Sequence, residues 1–207
     1  MVAHIVCGSP NLFLPTCLTG YIVGVDRGAL KLIEKKLDFN VAIGDFDSVS
    51  ELEFQLIREK SKMMLKLPEN KDVTDCEAAL QHVMREGYTQ AYLYGTTGGR
   101  FDHQFATIGL ILKYAKQDVQ IDIVDAQNKI SVLKSGNYII DVNVKKYISF
   151  FALESTVINL KLQGVKYPLD SYDLSVDDSL CVSNEVLDSC INVSFDSGYL
   201  LIVQSSD

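Results

Sequence analysis

Val41-Ala42-Ile43-Gly44-Asp45-Phe46-Asp47-Ser48 is the stretch on which the chain turns. Val41 to Ile43 reads as a short buried strand that breaks off at a glycine and two carboxylates. In an extended chain alternate side chains share a face, so Asp45 and Asp47 are expected on one side and Phe46 on the other. Carboxylates held close together repel each other, and a cation between them relieves the repulsion. The same residues also suit a plain strand-to-helix loop, with Ser50 and Glu53 forming a capping box for the next helix. The neighbouring segments decide between these readings.

Working outward, the pattern repeats. Residues 2–8 and 21–25 read as buried strands, 29–36 as a helix, and 50–60 as an amphipathic helix using Leu52, Leu56 and Ile57. Met63 to Leu67 is a strand stopped by Pro68. Asp72 to Glu86 has helical period, with Gly87 as its C-terminal stop, and Asp72 and Asp75 at i and i+3 on one face of its first turn. Residues 91–94 form a strand and Gly95 to Arg100 a glycine-rich loop. A helix follows with Phe101, Phe105, Ile108 and Leu112 inside, then a strand over 119–124. Strands alternating with helices predict a mostly parallel sheet covered on both faces, with ligands bound beyond the carboxyl ends of its strands.

Near Asp125-Ala126-Gln127-Asn128 the pattern changes. From Lys129 onward strand alternation replaces helical period, and Asp196-Ser197-Gly198 predicts the turn of a hairpin. The expected fold is an α/β domain over residues 1–125, with a mostly parallel sheet, and an all-β sandwich over residues 126–207.

Bulk properties narrow the function classes. The 207 residues suffice for one large domain or two small ones, with an ordinary apolar fraction of 47%. The five cysteines are dispersed, without a CxxC pair, which suits a reducing cytoplasm rather than a disulfide framework or a zinc site. Met1 to Val25 carries no Lys, Arg, Asp or Glu, but Pro10, Asn11 and Pro15 interrupt it and no basic segment precedes it. It therefore reads as strand, loop and strand, not as a signal peptide or membrane span. The net charge is −8, and Tyr167 to Asp207 holds eight acidic residues and no Lys or Arg, a poor surface for nucleic acid.

The polar residues at the expected carboxyl edge are Asp26, Arg27, Asp45, Asp47, Lys71, Asp72, Asp75, Arg100 and Asp102. Carboxylates hold Mg²⁺ through hard oxygens and leave positions for phosphate oxygens. Lys and Arg neutralise phosphate directly, and the Gly98-Gly99 loop before a helix N-terminus offers backbone N–H groups. The set predicts phosphoryl or pyrophosphoryl transfer from a nucleotide. Each part has a plainer role beside it: Asp72, Thr74 or Asp102 as helix caps, Arg27 and Lys71 as surface cations, His103 as a hydrogen-bonding neighbour.

Asp26-x-Gly28-Ala29, Gly44-Asp45-Phe46-Asp47-Ser48, Lys71-Asp72-x-Thr74-Asp75 and Gly98-Gly99-Arg100-x-Asp102-His103, in that order and spacing, resemble the bacterial type of the thiamine pyrophosphokinase family. Gly8-Ser9-Pro10, Lys166-Tyr167-Pro168-Leu169 and Ser183-Asn184-Glu185 are also similar to that family. The resemblance implies transfer of pyrophosphate from ATP to the thiamine hydroxyl, giving thiamine diphosphate and AMP. It implies a cytoplasmic homodimer whose active site is shared between subunits, with no nucleic-acid or membrane partner. It assigns Mg²⁺ to Asp45, Asp47 and Asp75 with Asp72 nearby, and places Asp26 and Asp102 by the reacting groups. It gives the ATP phosphates to Lys71, Thr74, Arg100 and the Thr96-Thr97-Gly98-Gly99 loop, with Arg27 among the nucleotide contacts, and thiamine to Ser183 and Asn184. The chain has no tryptophan, so no stacking partner for thiamine is assigned. A glycosyltransferase using Asp-x-Asp on a nucleotide sugar, an aspartyl phosphatase, and a nucleotide or Ca²⁺ sensor are the competing readings.

Overall fold

Short apolar strands alternate with helices through the first part of the chain: β1 (Val2–Val6), β2 (Tyr21–Val25), α1 (Arg27–Glu34), β3 (Val41–Gly44), α2 (Glu51–Lys60), β4 (Met63–Lys66), α3 (Asp75–Arg85), β5 (Gln90–Tyr94), α4 (Phe101–Ala115) and β6 (Gln120–Val124). The structure is a computed structural model and describes residues 2–68, 70, 72–142 and 145–207. It is mixed α/β and divides into two units, residues 1–110 with 119–126, and residues 111–118 with 127–207. No described helix is long and apolar enough to cross a membrane.

In the first unit the strands lie in the order β6-β5-β1-β2-β3-β4, all parallel. The chain leaves β1 toward β2 on one side and returns to β5 on the other, so the order reverses at β1. Parallel strands covered on both faces read as near-continuous apolar runs, which is how β1 to β3 read. Val6, Ile22, Ala42 and Tyr94 pack with Ala29, Leu30 and Leu32 of α1 and Ile57 of α2. The alternate residues Ile43 and Leu65 face the other way, beside Ala78 and His82 of α3. Fully buried Ile5 and Leu93 each contribute about 1.5–3 kcal/mol by leaving water.

Local signals set the helix ends. Ser50 accepts from the Glu53 N–H while the Glu53 carboxylate accepts from the Ser50 N–H, so the expected capping box is present at α2. At α3, Thr74 is the N-cap, its hydroxyl accepting from the Glu77 N–H at 3.2 Å. The helix therefore starts at Asp75, and the expectation that Asp72 shares its first turn is corrected: Asp72 lies two residues before the cap. Gly87, at φ 86°, closes α3 with bonds from Gly87 N–H to Met84 and from Tyr88 N–H to Val83, a Schellman ending.

The face expected for α4 is also corrected. Phe101 and Phe105 are 77% and 67% exposed, their rings 6.3 Å apart, and the buried residues are Thr107, Leu110, Ile111 and Tyr114. Both phenylalanines stand N-terminal to the buried stretch, where helical spacing alone gave no way to tell the first turns from the covered ones.

The second unit contains β7 (Asn128–Asp141), β8 (Tyr147–Gln163), β9 (Leu169–Leu174), β10 (Asn184–Glu185) and β11 (Cys190–Ser205), with no helix among its described residues after 118. β11 pairs antiparallel with β7 on one side and β8 on the other, while β9 and β10 pair with β8. Phe150, Ile148, Leu160 and Ile191 are fully buried in its core. The hairpin expected at Asp196-Ser197-Gly198 is corrected. β11 runs straight through these residues, pairing Phe195 with Gly136 and Tyr199 with Lys134. Four steps on β11 thus match two on β7, so the turn residues form a bulge and the chain keeps its direction.

Candidate active site

Beyond the carboxyl ends of the parallel strands lies a cavity of about 380 Å³, walled by the segments after β1, β2 and β5 and by the N-terminal turn of α3. It sits where the strand order reverses, the usual ligand crevice of such sheets.

Asp26 follows β2 in a strained conformation, φ 46° and ψ −121°. It occupies the N-cap of α1 but does not cap it with its side chain. Its Oδ1 instead accepts from the Phe46 N–H at 3.2 Å, tying the end of β2 to the loop after β3. Gly44 makes this possible: a Cβ there would lie 1.8 Å from Asp26 Oδ1. Phe46 is left-handed, φ 61°, and buried against Phe54 at 5.4 Å. Such strain persists only where the surroundings over-determine it.

This geometry corrects the extended reading of Asp45-Phe46-Asp47. β3 stops at Gly44, and the left-handed Phe46 breaks the alternation. The carboxylates gathered here are Asp26, Asp45 and Asp75, with one oxygen of each lying within 4.8 Å of the others. Asp47 stands outside this group, exposed, and its N–H donates to Asp45 Oδ1 at 3.2 Å. Asp72 is likewise exposed and outside it. Three carboxylate oxygens at this spacing are a hard, all-oxygen donor set, which fits Mg²⁺ rather than a thiophilic metal.

Arg27 lines the cavity and donates from Nη1 to the Ser48 carbonyl at 3.0 Å. Lys71 lies outside the described residues. Opposite the carboxylates, Gly95 holds φ 68°, and a Cβ there would meet the Cys7 carbonyl oxygen at 2.3 Å. Thr96, Thr97, Gly99 and Arg100 line the cavity. Among the described residues the buried Thr96 hydroxyl has no hydrogen-bond partner, whereas that of Thr97 donates to Asp125. Arg100 grips Asp102 with two bonds, Nε to Oδ1 at 3.1 Å and Nη2 to Oδ2 at 2.5 Å. That contact holds the Asp102 carboxyl below the usual range and raises Arg100. His103 lines the cavity, and its N–H also donates to Asp102. The Cys7 thiol is pushed well up by its hydrogen bond with Cys76 and by burial.

Ser183 and Asn184 belong to the second unit. Ser183 is exposed at φ 57°. Asn184 is 5% exposed, and its side-chain amide pairs with both the N–H and the carbonyl of Tyr167, at 3.0 and 2.8 Å. Ser9 and Asp125, which tie down the glycine loop, had no assignment from the sequence. Only the strand order places them beside it.

Fold and site together define an α/β protein whose polar side chains converge on one crevice at the strand-order reversal. A family model described as "Thiamin pyrophosphokinase, catalytic domain" matches residues 18–123, and one described as "Thiamin pyrophosphokinase, vitamin B1 binding domain" matches residues 137–200. Thiamine pyrophosphokinase of Bacillus subtilis (strain 168) is 34% identical over 211 residues, covering 99% of this chain and 98% of that protein. The crystal structure of the Bacillus subtilis enzyme matches with a TM-score of 0.91 at 32% identity, covering 100% of both chains. That of a thiamin pyrophosphokinase family protein from Enterococcus faecalis matches at 0.90 and 34% identity, covering 100% of this chain and 99% of that one. The chain belongs to the thiamine pyrophosphokinase family.

Proposed function

We propose that the crevice of the first unit is where this chain performs its family's reaction, the transfer of pyrophosphate from ATP to the hydroxyl of thiamine. The observation that carries the assignment is the Asp26–Asp45–Asp75 group, of which Asp26 and Asp75 line the same cavity as the glycine-rich loop. Asp26, Asp45 and Asp75 would hold Mg²⁺, which when bound neutralises charge on the ATP phosphates. Asp47 fixes the Asp45 carboxylate through its N–H, and Asp72 is exposed outside the group. The N–H groups of the glycine loop and the hydroxyl of Thr96 bind phosphate oxygens, and Arg100 turns from Asp102 to the phosphates. Thr74 acts mainly as the cap that aims Asp75. Held in line, the thiamine oxygen forms a bond to the β-phosphorus while the bond to the AMP oxygen breaks.

The remaining assignments extend this reading. Residues 1–125 supply the ATP and Mg²⁺ functions. Residues 126–207, as a β-sandwich, supply thiamine contacts at Ser183 and dimer contacts, with Asn184 shaping the Tyr167 backbone. The chain acts as a cytoplasmic homodimer with a shared site. Incubation with ATP, Mg²⁺ and thiamine is expected to yield AMP and thiamine diphosphate one to one, and to stop on chelation of the metal. ADP as product, sugar transfer, or binding without turnover would overturn the proposal.

A further inference from the structure

The glycine loop is fastened from both sides by residues at the ends of the neighbouring strands. β1, β5 and β6 lie side by side, with Val6 opposite Tyr94 and Tyr94 opposite Val124. Just past their ends, Ser9 Oγ donates to the Thr97 carbonyl at 2.6 Å, and Thr97 Oγ1 donates to Asp125 Oδ2 at 2.7 Å. Ser9 is only 8% exposed, and Asp125 is half-buried and not among the residues lining the cavity.

A hydroxyl has one proton to donate. That of Thr97 is committed to a carboxylate, an acceptor that binds it more tightly than a neutral oxygen would. Its carbonyl is held as well. Thr97 is therefore not arranged as a phosphate donor. The contrast is with Thr96, one residue earlier, which lines the cavity and whose buried hydroxyl has no hydrogen-bond partner among the described residues. The close approach of Gly95 to the Cys7 carbonyl pins the start of the same loop. A loop held at both points keeps its donors aimed before any ligand arrives, so less ordering entropy is lost on binding.

We propose that Asp125 and Ser9 are positioning residues that latch Thr97, so that the Thr96 hydroxyl and the loop N–H groups are preset for a nucleotide polyphosphate. The inference rests on the reading of this cavity as the ATP site. A latch that presets ground-state contacts acts on the KM for ATP and leaves kcat nearly alone.

The test is steady-state kinetics with Mg²⁺·ATP and thiamine on wild type, Thr97→Val, Thr97→Ser, Asp125→Ala, Asp125→Asn and the Thr97→Val/Asp125→Ala double variant, each checked for folding by thermal melting. The KM for ATP should rise on the order of tenfold in Thr97→Val and Asp125→Ala, with kcat within about threefold and the KM for thiamine unmoved, as for loss of one charge-assisted hydrogen bond. Thr97→Ser and Asp125→Asn, which keep a donor and an acceptor, should restore most of the affinity. The double variant should be no worse than the weaker single one. Unchanged ATP KM values, equal rises for both substrates, or additive single effects overturn the latch. Wild-type turnover separates the two levels: without it the reading of the site fails, and with it a flat response removes the latch alone.

Discussion

The two sides of the crevice are built on opposite principles. On the β2–β3 side, Asp26, Asp45 and Asp75 converge to within 4.8 Å, an arrangement of like charges that a bound cation would relieve. On the β1–β5–β6 side, two short hydrogen bonds join Ser9 to Thr97 and Thr97 to Asp125. One side is shaped for a ligand's charge, the other by hydrogen bonds that fix its own backbone. Substitutions should therefore cost activity on the first side before stability, and on the second side stability together with substrate affinity.

The largest expected effect is at Asp45. Asp45→Asn keeps an acceptor for the Asp47 N–H but removes a charge from the group. Its kcat/KM should fall by about 10²–10³, the scale on which one preorganised electrostatic contact acts. Its Tm without ligand should stay within a few degrees of wild type. Wild type should gain Tm on addition of Mg²⁺ and ATP, by mass action, and the variant should lose most of that gain. An active variant with a normal Mg²⁺-induced shift would dissolve the contrast between the sides.

Next come paired glycine substitutions. Gly44→Ala, at φ 156°, also strains the backbone, but its Cβ meets a side-chain atom that can be displaced, Asp26 Oδ1 at 1.8 Å. Gly95→Ala places one 2.3 Å from the Cys7 carbonyl, at φ 68°, where only backbone can yield. Gly95→Ala should destabilise by about 1–3 kcal/mol or more, read by denaturant unfolding. Gly44→Ala should lose less stability but most activity, because the displaced carboxylate leaves the group. The reverse ranking would show that the acidic side is the rigid one.

This contrast explains what the sequence made legible. The acidic side could be read because each carboxylate ends a strand or opens a helix, positions that apolar runs and caps mark locally. Its details failed where one residue overrode a period: Phe46 at φ 61° broke the alternation expected of Asp45 and Asp47, and the Thr74 cap put Asp72 outside α3. Ser9 and Thr97 fell in segments similar to the family, but nothing local joined them to each other or to Asp125. The three are 88 and 28 residues apart, and adjacency follows only from the order of β1, β5 and β6. The bulge at 196–198 was misread for a related reason, since a turn signal does not say whether the partner strand continues past it.

The smallest expected effect lies at the Arg100–Asp102 pair, an exposed contact beside the loop. Its bonds lower the Asp102 pKa in the folded chain. A carboxylate depressed on folding contributes stability that is present above its unfolded pKa and is lost as pH falls through the depressed value. Both groups are exposed, so the contribution is small, sits fully in place at neutral pH, and fades only below the ordinary aspartate range. Arg100→Ala should let the Asp102 carboxyl return upward toward its ordinary value, measured by NMR titration of the side-chain carbon, while Tm at neutral pH hardly moves. The same variant should raise the KM for ATP, because Arg100 must leave Asp102 to reach phosphate. If the Asp102 titration shifts and ATP affinity does not, Arg100 stays with Asp102, and the phosphates rest on the loop N–H groups and on the cation held by the acidic side.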